Sequence, residues 1–106
     1  MRRNEKVAKE IKELAALFLN RVTNKTALIT VTSASASPDL KKGTVYITVL
    51  PSEKEQAALH FCQRQMGELR EFLKEKMSIK TIPYLTIKID QGEKNRQKID
   101  ELLRNG

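Results

Sequence analysis

The chain has 106 residues, with 20 Lys+Arg against 13 Asp+Glu, a formal net charge of +7, and 40% hydrophobic and 31% charged residues. A chain this long buries roughly two-thirds of its extended surface on folding, enough for one hydrophobic core and too little for two, so a single domain over residues 1–106 is expected. The composition is that of a globular protein and argues against disorder throughout or a collagen-like repeat.

From Asn4 to Val22 the apolar residues Val7, Ile11, Leu14, Phe18 and Val22 recur at steps of three or four, which predicts an amphipathic helix with Asn4 as its N-cap. The period changes to two from Thr26 to Ala36, a strand that runs into the turn Ser37-Pro38-Asp39. Its second half is made of small residues, so a bulge or an early ending is expected there. Val45, Ile47 and Val49 then share one face of a second strand over Thr44–Leu50, antiparallel to the first.

Ser52-Glu53-Lys54-Glu55 reads as a capping box that opens a second helix. The helical period then holds from Lys54 nearly to Ser78. One straight helix of that span would be about 36 Å long, as long as the whole expected diameter of roughly 34 Å. Gly67 lies at mid-span, costs about 1 kcal/mol relative to Ala in a helix interior, and is the expected site of a kink between two helices. On this reading Gly67→Ala straightens the pair and harms the fold or its binding. After Ile82-Pro83, Leu85, Ile87 and Ile89 alternate along a third strand from Tyr84 to Asp90. Ile99, Leu102 and Leu103 mark a short polar helix from Glu93 to Arg104, marginal alone and expected to dock on the body. The order is α-β-β-α-α-β plus a short C-terminal helix, an α+β fold with helices on one face of a three-stranded sheet.

The inventory for catalysis is thin. His60 is the only histidine and Cys62 the only cysteine; two residues apart on a helix, they do not face each other. Cys62 is expected to pack in the core and His60 to sit at the surface or in a groove. The four glycines match neither the dinucleotide nor the P-loop spacing, and no cysteine or histidine cluster offers metal-ligand spacing. No metal, cofactor or small-molecule substrate is therefore expected, and Asp39 and Asp90 are read as local caps. No apolar run approaches the ~20 residues of a spanning helix, and the N-terminus leads into charges. With a lone cysteine besides, a cytoplasmic protein with no membrane partner is expected.

The inventory for polyanions is richer. Arg2, Arg3, Lys6 and Lys9 crowd the N-terminus, and Arg64, Arg70, Lys74, Lys76 and Lys80 surround and follow Gly67. Both groups are candidate phosphate contacts, with Gly67 as the bend between helices. Helix stabilisation does not by itself explain the second group: Arg64 can pair with Glu68 and Glu71 with Lys74, but Arg70 with Lys74 and Glu71 with Glu75 are like-charge neighbours. Aromatic stacking is poorly supplied, since there is no Trp and only Tyr46 and Tyr84 fall on the polar face of the sheet.

The element order and several strings in combination resemble the ribosome-binding factor A family. The strings are Arg3 with Val7 and Ile11, Ile29-Thr30-Val31-Thr32, Ser37-Pro38-Asp39-Leu40, Val45-Tyr46-Ile47-Thr48-Val49, Leu69-Arg70 with Leu73, Ile82-Pro83 with Leu85 and Asp90, and Ile99-Asp100-Glu101-Leu102-Leu103. The resemblance implies a type II KH-like fold. It also implies a non-enzymatic assembly factor that binds rRNA of the immature small ribosomal subunit near the region where its 5′ end is folded and processed; a monomer is expected. KH domains clamp single strands with a GxxG loop, which this chain lacks. The family replaces that loop with an Ala-x-Gly kink, of which Gln65-Met66-Gly67 keeps the Gly, and Tyr84 stands where the family usually has an acidic residue. A basic module that docks an acidic protein partner is the alternative, and a small enzyme comes third.

Overall fold

A computed structural model describes residues 2–23 and 27–105. The elements are α1 (Arg3–Val22), β1 (Leu28–Ala36), β2 (Lys42–Leu50), a 3₁₀ turn (Ser52–Lys54), α2 (Glu55–Arg64), α3 (Met66–Lys76), β3 (Tyr84–Ile89) and α4 (Gln91–Asn105). The order is the expected one. Thr26, where the first strand was expected to begin, lies outside the described residues.

The sheet runs β1-β2-β3, with β1 antiparallel and β3 parallel to β2. A parallel neighbour needs a long crossover, and α2 with α3 supplies it. Val45, Ile47 and Val49 of β2 and Leu85 and Ile87 of β3 are buried, on the face where α1, α2 and α3 bring Ile11, Ala15, Leu19, Cys62, Leu69 and Leu73. The Phe18 and Phe72 rings meet between α1 and α3 with centroids 5.6 Å apart. Fully burying side chains of this size is worth about 1.5–3 kcal/mol each, so the packed face holds the domain. The expected bulge is present, where the β1–β2 register shifts between Val31 and Ser33.

Several local expectations are corrected. The first helix begins at Arg3 with Arg2 as its N-cap, and Asn4 lies inside the first turn. Its side-chain amide is thereby free to donate to the Ala36 carbonyl at 3.0 Å, which ties the start of α1 to the end of β1. The second strand starts at Lys42, two residues early. No capping box forms at Ser52: the chain enters through the 3₁₀ turn, no side chain caps α2, and Glu55 pairs instead with Lys94 at 3.0 Å.

The helix break falls at Gln65, not at Gly67. Gln65 takes φ −86° and ψ 0° and serves as C-cap of α2 and N-cap of α3 together. Its N–H is shared between the Phe61 and Cys62 carbonyls, while its own carbonyl accepts from Leu69 N–H at 2.9 Å, so the break strands little backbone. Gly67 sits in the first turn of α3, exposed, and a Cβ added there meets nothing within 4 Å. Neither space nor backbone conformation requires a glycine, so the expected harm to the fold does not follow.

The last helix is longer than expected and does not dock through its apolar residues. Ile99, Leu102 and Leu103 are 56%, 63% and 74% exposed. It leaves the sheet directly: Asp90 N–H donates to the Ile47 carbonyl at 2.8 Å, and the Asp90 carboxylate accepts from Glu93 N–H at 3.0 Å and from the Thr32 hydroxyl at 2.6 Å. Those bonds hold the carboxyl below its usual range, the backbone bond from Glu93 most strongly. Together with Lys94–Glu55, they fix only the start of α4. No helix among the described residues is long and apolar enough to cross a membrane.

Two glycine substitutions separate these effects. Gly67→Ala is expected to raise stability by up to about 1 kcal/mol with the fold intact. Gly43→Ala is expected to cost about 1–3 kcal/mol, because its Cβ would stand 2.9 Å from both the Leu85 side chain and the Ser35 carbonyl oxygen. Denaturant unfolding checks both signs, and a destabilised Gly67→Ala would restore the glycine hinge.

Candidate nucleic-acid interface

The turn between β1 and β2 is tied down by its own side chains. Asp39 Oδ1 accepts from the Ser37 hydroxyl at 2.6 Å and from Lys41 N–H at 3.0 Å, and Ser37 Oγ in turn accepts from Lys42 N–H at 3.1 Å. These bonds, the Ser37 hydroxyl first, lower the Asp39 pKa. They also hold Leu40 at φ 60°, a left-handed conformation that costs a non-glycine residue roughly 1–2 kcal/mol. On the far side, the segment from Met77 to Pro83 is pinned through buried Met77, Ile82 and Pro83. Arg70 reaches back from α3 to donate to the Pro83 carbonyl at 2.8 Å, and Tyr84 N–H donates to the Lys41 carbonyl at 2.8 Å.

Between these two segments and the start of α1 lies a groove of about 790 Å³. Arg3, Lys41, Arg70 and Lys80 bring four positive charges to it against the single carboxylate of Asp39, with Tyr84 at its edge. A carboxylate already held by two donors competes weakly for those cations. Fixed walls with an excess of basic groups concentrate anions in a cleft.

The structure distributes the candidate residues unevenly. Arg3 and Arg70 come together in this groove although 67 positions separate them. Lys9 flanks a second groove, between α1 and the end of β1, with Asn4, Lys12 and Ser33. Arg64 lies at the other end of the sheet, beside Lys54, Ala58 and Ile29. Arg2 and Lys6 are exposed at the start of α1, and Lys74 is exposed with Glu71 at 3.5 Å, an i,i+3 pair. Gly67 faces open space. Charge clustering along the chain does not single out Lys41 or Tyr84 as contacts, and it groups Lys80 with Gly67. The paired lysines Lys41-Lys42 after a Ser-Pro-Asp turn are the signal that could have found this wall of the groove.

The remaining chemistry is plain. Cys62 is fully buried and burial pushes its thiol up to about 11, so it packs as a small hydrophobe. His60 is exposed, with Nε2 3.3 Å from Gln56 Nε2.

The sequence pattern of ribosome-binding factor A matches residues 3–103. The chain belongs to the ribosome-binding factor A family. Among relatives, it is 28% identical to ribosome-binding factor A of Geobacter metallireducens over 97% of this chain and 90% of that protein. It is 30% identical to that of Macrococcus caseolyticus over 97% of this chain and 96% of that protein. The crystal structure of ribosome-binding factor A from Thermus thermophilus superposes with a TM-score of 0.73 at 20% identity, covering 81% of this chain and 93% of that one. A homology model of the Thermus thermophilus factor, fitted into an electron cryo-microscopy map of a 30S complex, gives 0.68 at 21% identity over 76% and 88%. The α+β, type II KH-like fold is thus that of the solved family members.

Within this family member Arg70 has a structural duty that its charge alone does not reveal. Arg70→Met is expected to lose about 1.5 kcal/mol or more, the worth of a hydrogen bond from a charged donor. A denaturant midpoint within about 0.5 kcal/mol of the parent, as for an ordinary surface change, would show that the guanidinium is free for a ligand instead.

Proposed function

We propose that this protein binds rRNA of the immature small (30S) ribosomal subunit and assists its maturation, including processing at the rRNA 5′ end. The observation that carries this is the family match over residues 3–103. The basic groove supports it, because rRNA is the polyanion that four clustered cations against one held carboxylate would attract. A homology model of the Thermus thermophilus relative has been fitted into a map of a 30S complex, which adds the same partner from the structural side. The reading extends to a single domain over 1–106 that works as a cytoplasmic monomer, with no catalysis, cofactor or small-molecule substrate. Arg3 in the groove, and Arg2, Lys6 and Lys9 along the start of α1, serve as phosphate contacts. Arg70 adds its charge to the groove, whereas Arg64, at the other end of the sheet, and Lys74, beside Glu71, lie apart from it.

A tagged copy is expected to sediment with small subunits and not with mature translating ribosomes. Replacing Arg2, Arg3 and Lys6 by Gln should weaken that association and flatten its salt dependence, by a slope of roughly 0.7–0.9 for each phosphate no longer neutralised. Thermal stability should stay within about 0.5 kcal/mol, as for surface changes without special partners. Unchanged affinity and salt slope in the folded variant would remove the start of α1 from the interface. Binding that survives removal of RNA would favour an acidic protein partner.

A further inference from the structure

The sheet has one face packed by helices, and its other face is open from Lys42 to Tyr46, with Thr48 beyond it buried; this open part is ordered in a way the groove alone does not explain. Across β2 and β3 the register pairs Lys42 with Tyr84, Thr44 with Thr86, and Tyr46 with Lys88. Leu85 and Ile87 turn into the core between them, so these three rungs all lie on the open side. Each tyrosine therefore stands beside a lysine of the neighbouring strand, and the rung between carries two hydroxyls 3.4 Å apart.

The two tyrosines differ in what surrounds them. Tyr46 is half-buried in the middle strand, whereas Tyr84 is 70% exposed on the edge strand, at the corner where the open face meets the basic groove. Its backbone is fixed by the bond to the Lys41 carbonyl and by the buried Pro83 before it. The ring is thus a large apolar surface left in water on a rigid mount, with Lys41, Lys42 and Lys80 close by in the fold. An exposed π-face next to positive charge accepts an unpaired base in front of its phosphate, and every base can use it. A paired base offers no free face, since its neighbours in the helix already occupy both sides.

We propose that Tyr84 is a stacking platform for one unpaired base of single-stranded RNA, whose backbone enters the groove on Lys41, Lys80 and Arg3. The proposal rests on the rRNA-binding reading and names the form of RNA and the place it is held. It also revises the sequence-based expectation that stacking is poorly supplied: one well-placed ring is enough for one base.

With no tryptophan and two tyrosines in the chain, Tyr46→Phe leaves Tyr84 as the only tyrosine emitter. In this full-length variant, titration with unstructured single-stranded oligouridylate should quench the emission saturably, and duplex RNA should leave it nearly unchanged. With a labelled oligouridylate, Tyr84→Ala should bind roughly ten-fold more weakly, within the range for loss of one stacked base, whereas Tyr84→Phe should bind as the parent does. An unchanged thermal melt is expected for both variants, because the ring is exposed. No quenching in a Tyr46→Phe variant that still sediments with small subunits would overturn the platform and leave the rRNA reading standing. Loss of both would overturn the two together. Equal quenching by duplex RNA, or by polyglutamate, would overturn the single-strand assignment.

Discussion

Ile29 and Val31 turn toward the helices, and so do Ala34 and Ala36, although no strict alternation joins the two pairs. The extra residue at Thr32 resets the phase, and everything else about the sheet depends on that reset. Without it, the period of two would carry Ser33 and Ser35 into the core and leave Ala34 and Ala36 in water. With it, the inner face stays apolar to the end of β1, where Ala36 lies opposite Gly43 and the absent side chain of Gly43 lets Leu85 and the Ser35 backbone close in. The outer face correspondingly gathers the hydroxyls, lysines and tyrosines.

The same bulge reaches beyond its own strand. It leaves the Thr32 hydroxyl on the open side, where it bonds to Asp90 across the middle strand, and Asp90 caps the helix that follows β3. The direction in which α4 leaves the body is thus set by a side chain 58 positions away. At the other end of the sheet, Asn4 performs a similar service by joining α1 to Ala36. That join sets Arg3 over the turn whose hydrogen bonds hold Asp39 and Leu40.

Much of the fold was legible because it follows from period. The steps of three and four from Val7 to Val22, and the alternation at Val45, Ile47 and Val49, are the direct imprint of one-sided burial. Local punctuation was less reliable. Gly67 looked like the hinge because glycine weakens helices, but the packing of Cys62 on one side and Leu69 on the other is served by a one-residue break at Gln65, a residue with no such signature. Ser52 looked like a cap, but Glu55, its expected partner, is engaged by Lys94 from the last helix. The C-terminal helix looked docked because it carries Ile99, Leu102 and Leu103, yet the Asp90 launch carries them away from the core. The site shows the same limit. Charge clustering along the chain singled out Arg3 and Arg70 without showing that they share a groove, and missed Lys41, because only the parallel entry of β3 brings the turn after β1 against the segment after α3.

A basic groove at one end of the sheet is where the proposed rRNA-binding reading places its ligand. Lysine acylation of the free protein and of its complex with small subunits, read residue by residue, tests that placement most directly. Lys41 and Lys80 line the groove, whereas Lys54 lies at the opposite end of the sheet and Lys98 on α4. The account predicts that Lys41 and Lys80 lose reactivity in the complex while Lys54 and Lys98 keep theirs; shielding of Lys54 and Lys98 with Lys41 and Lys80 still open would contradict it.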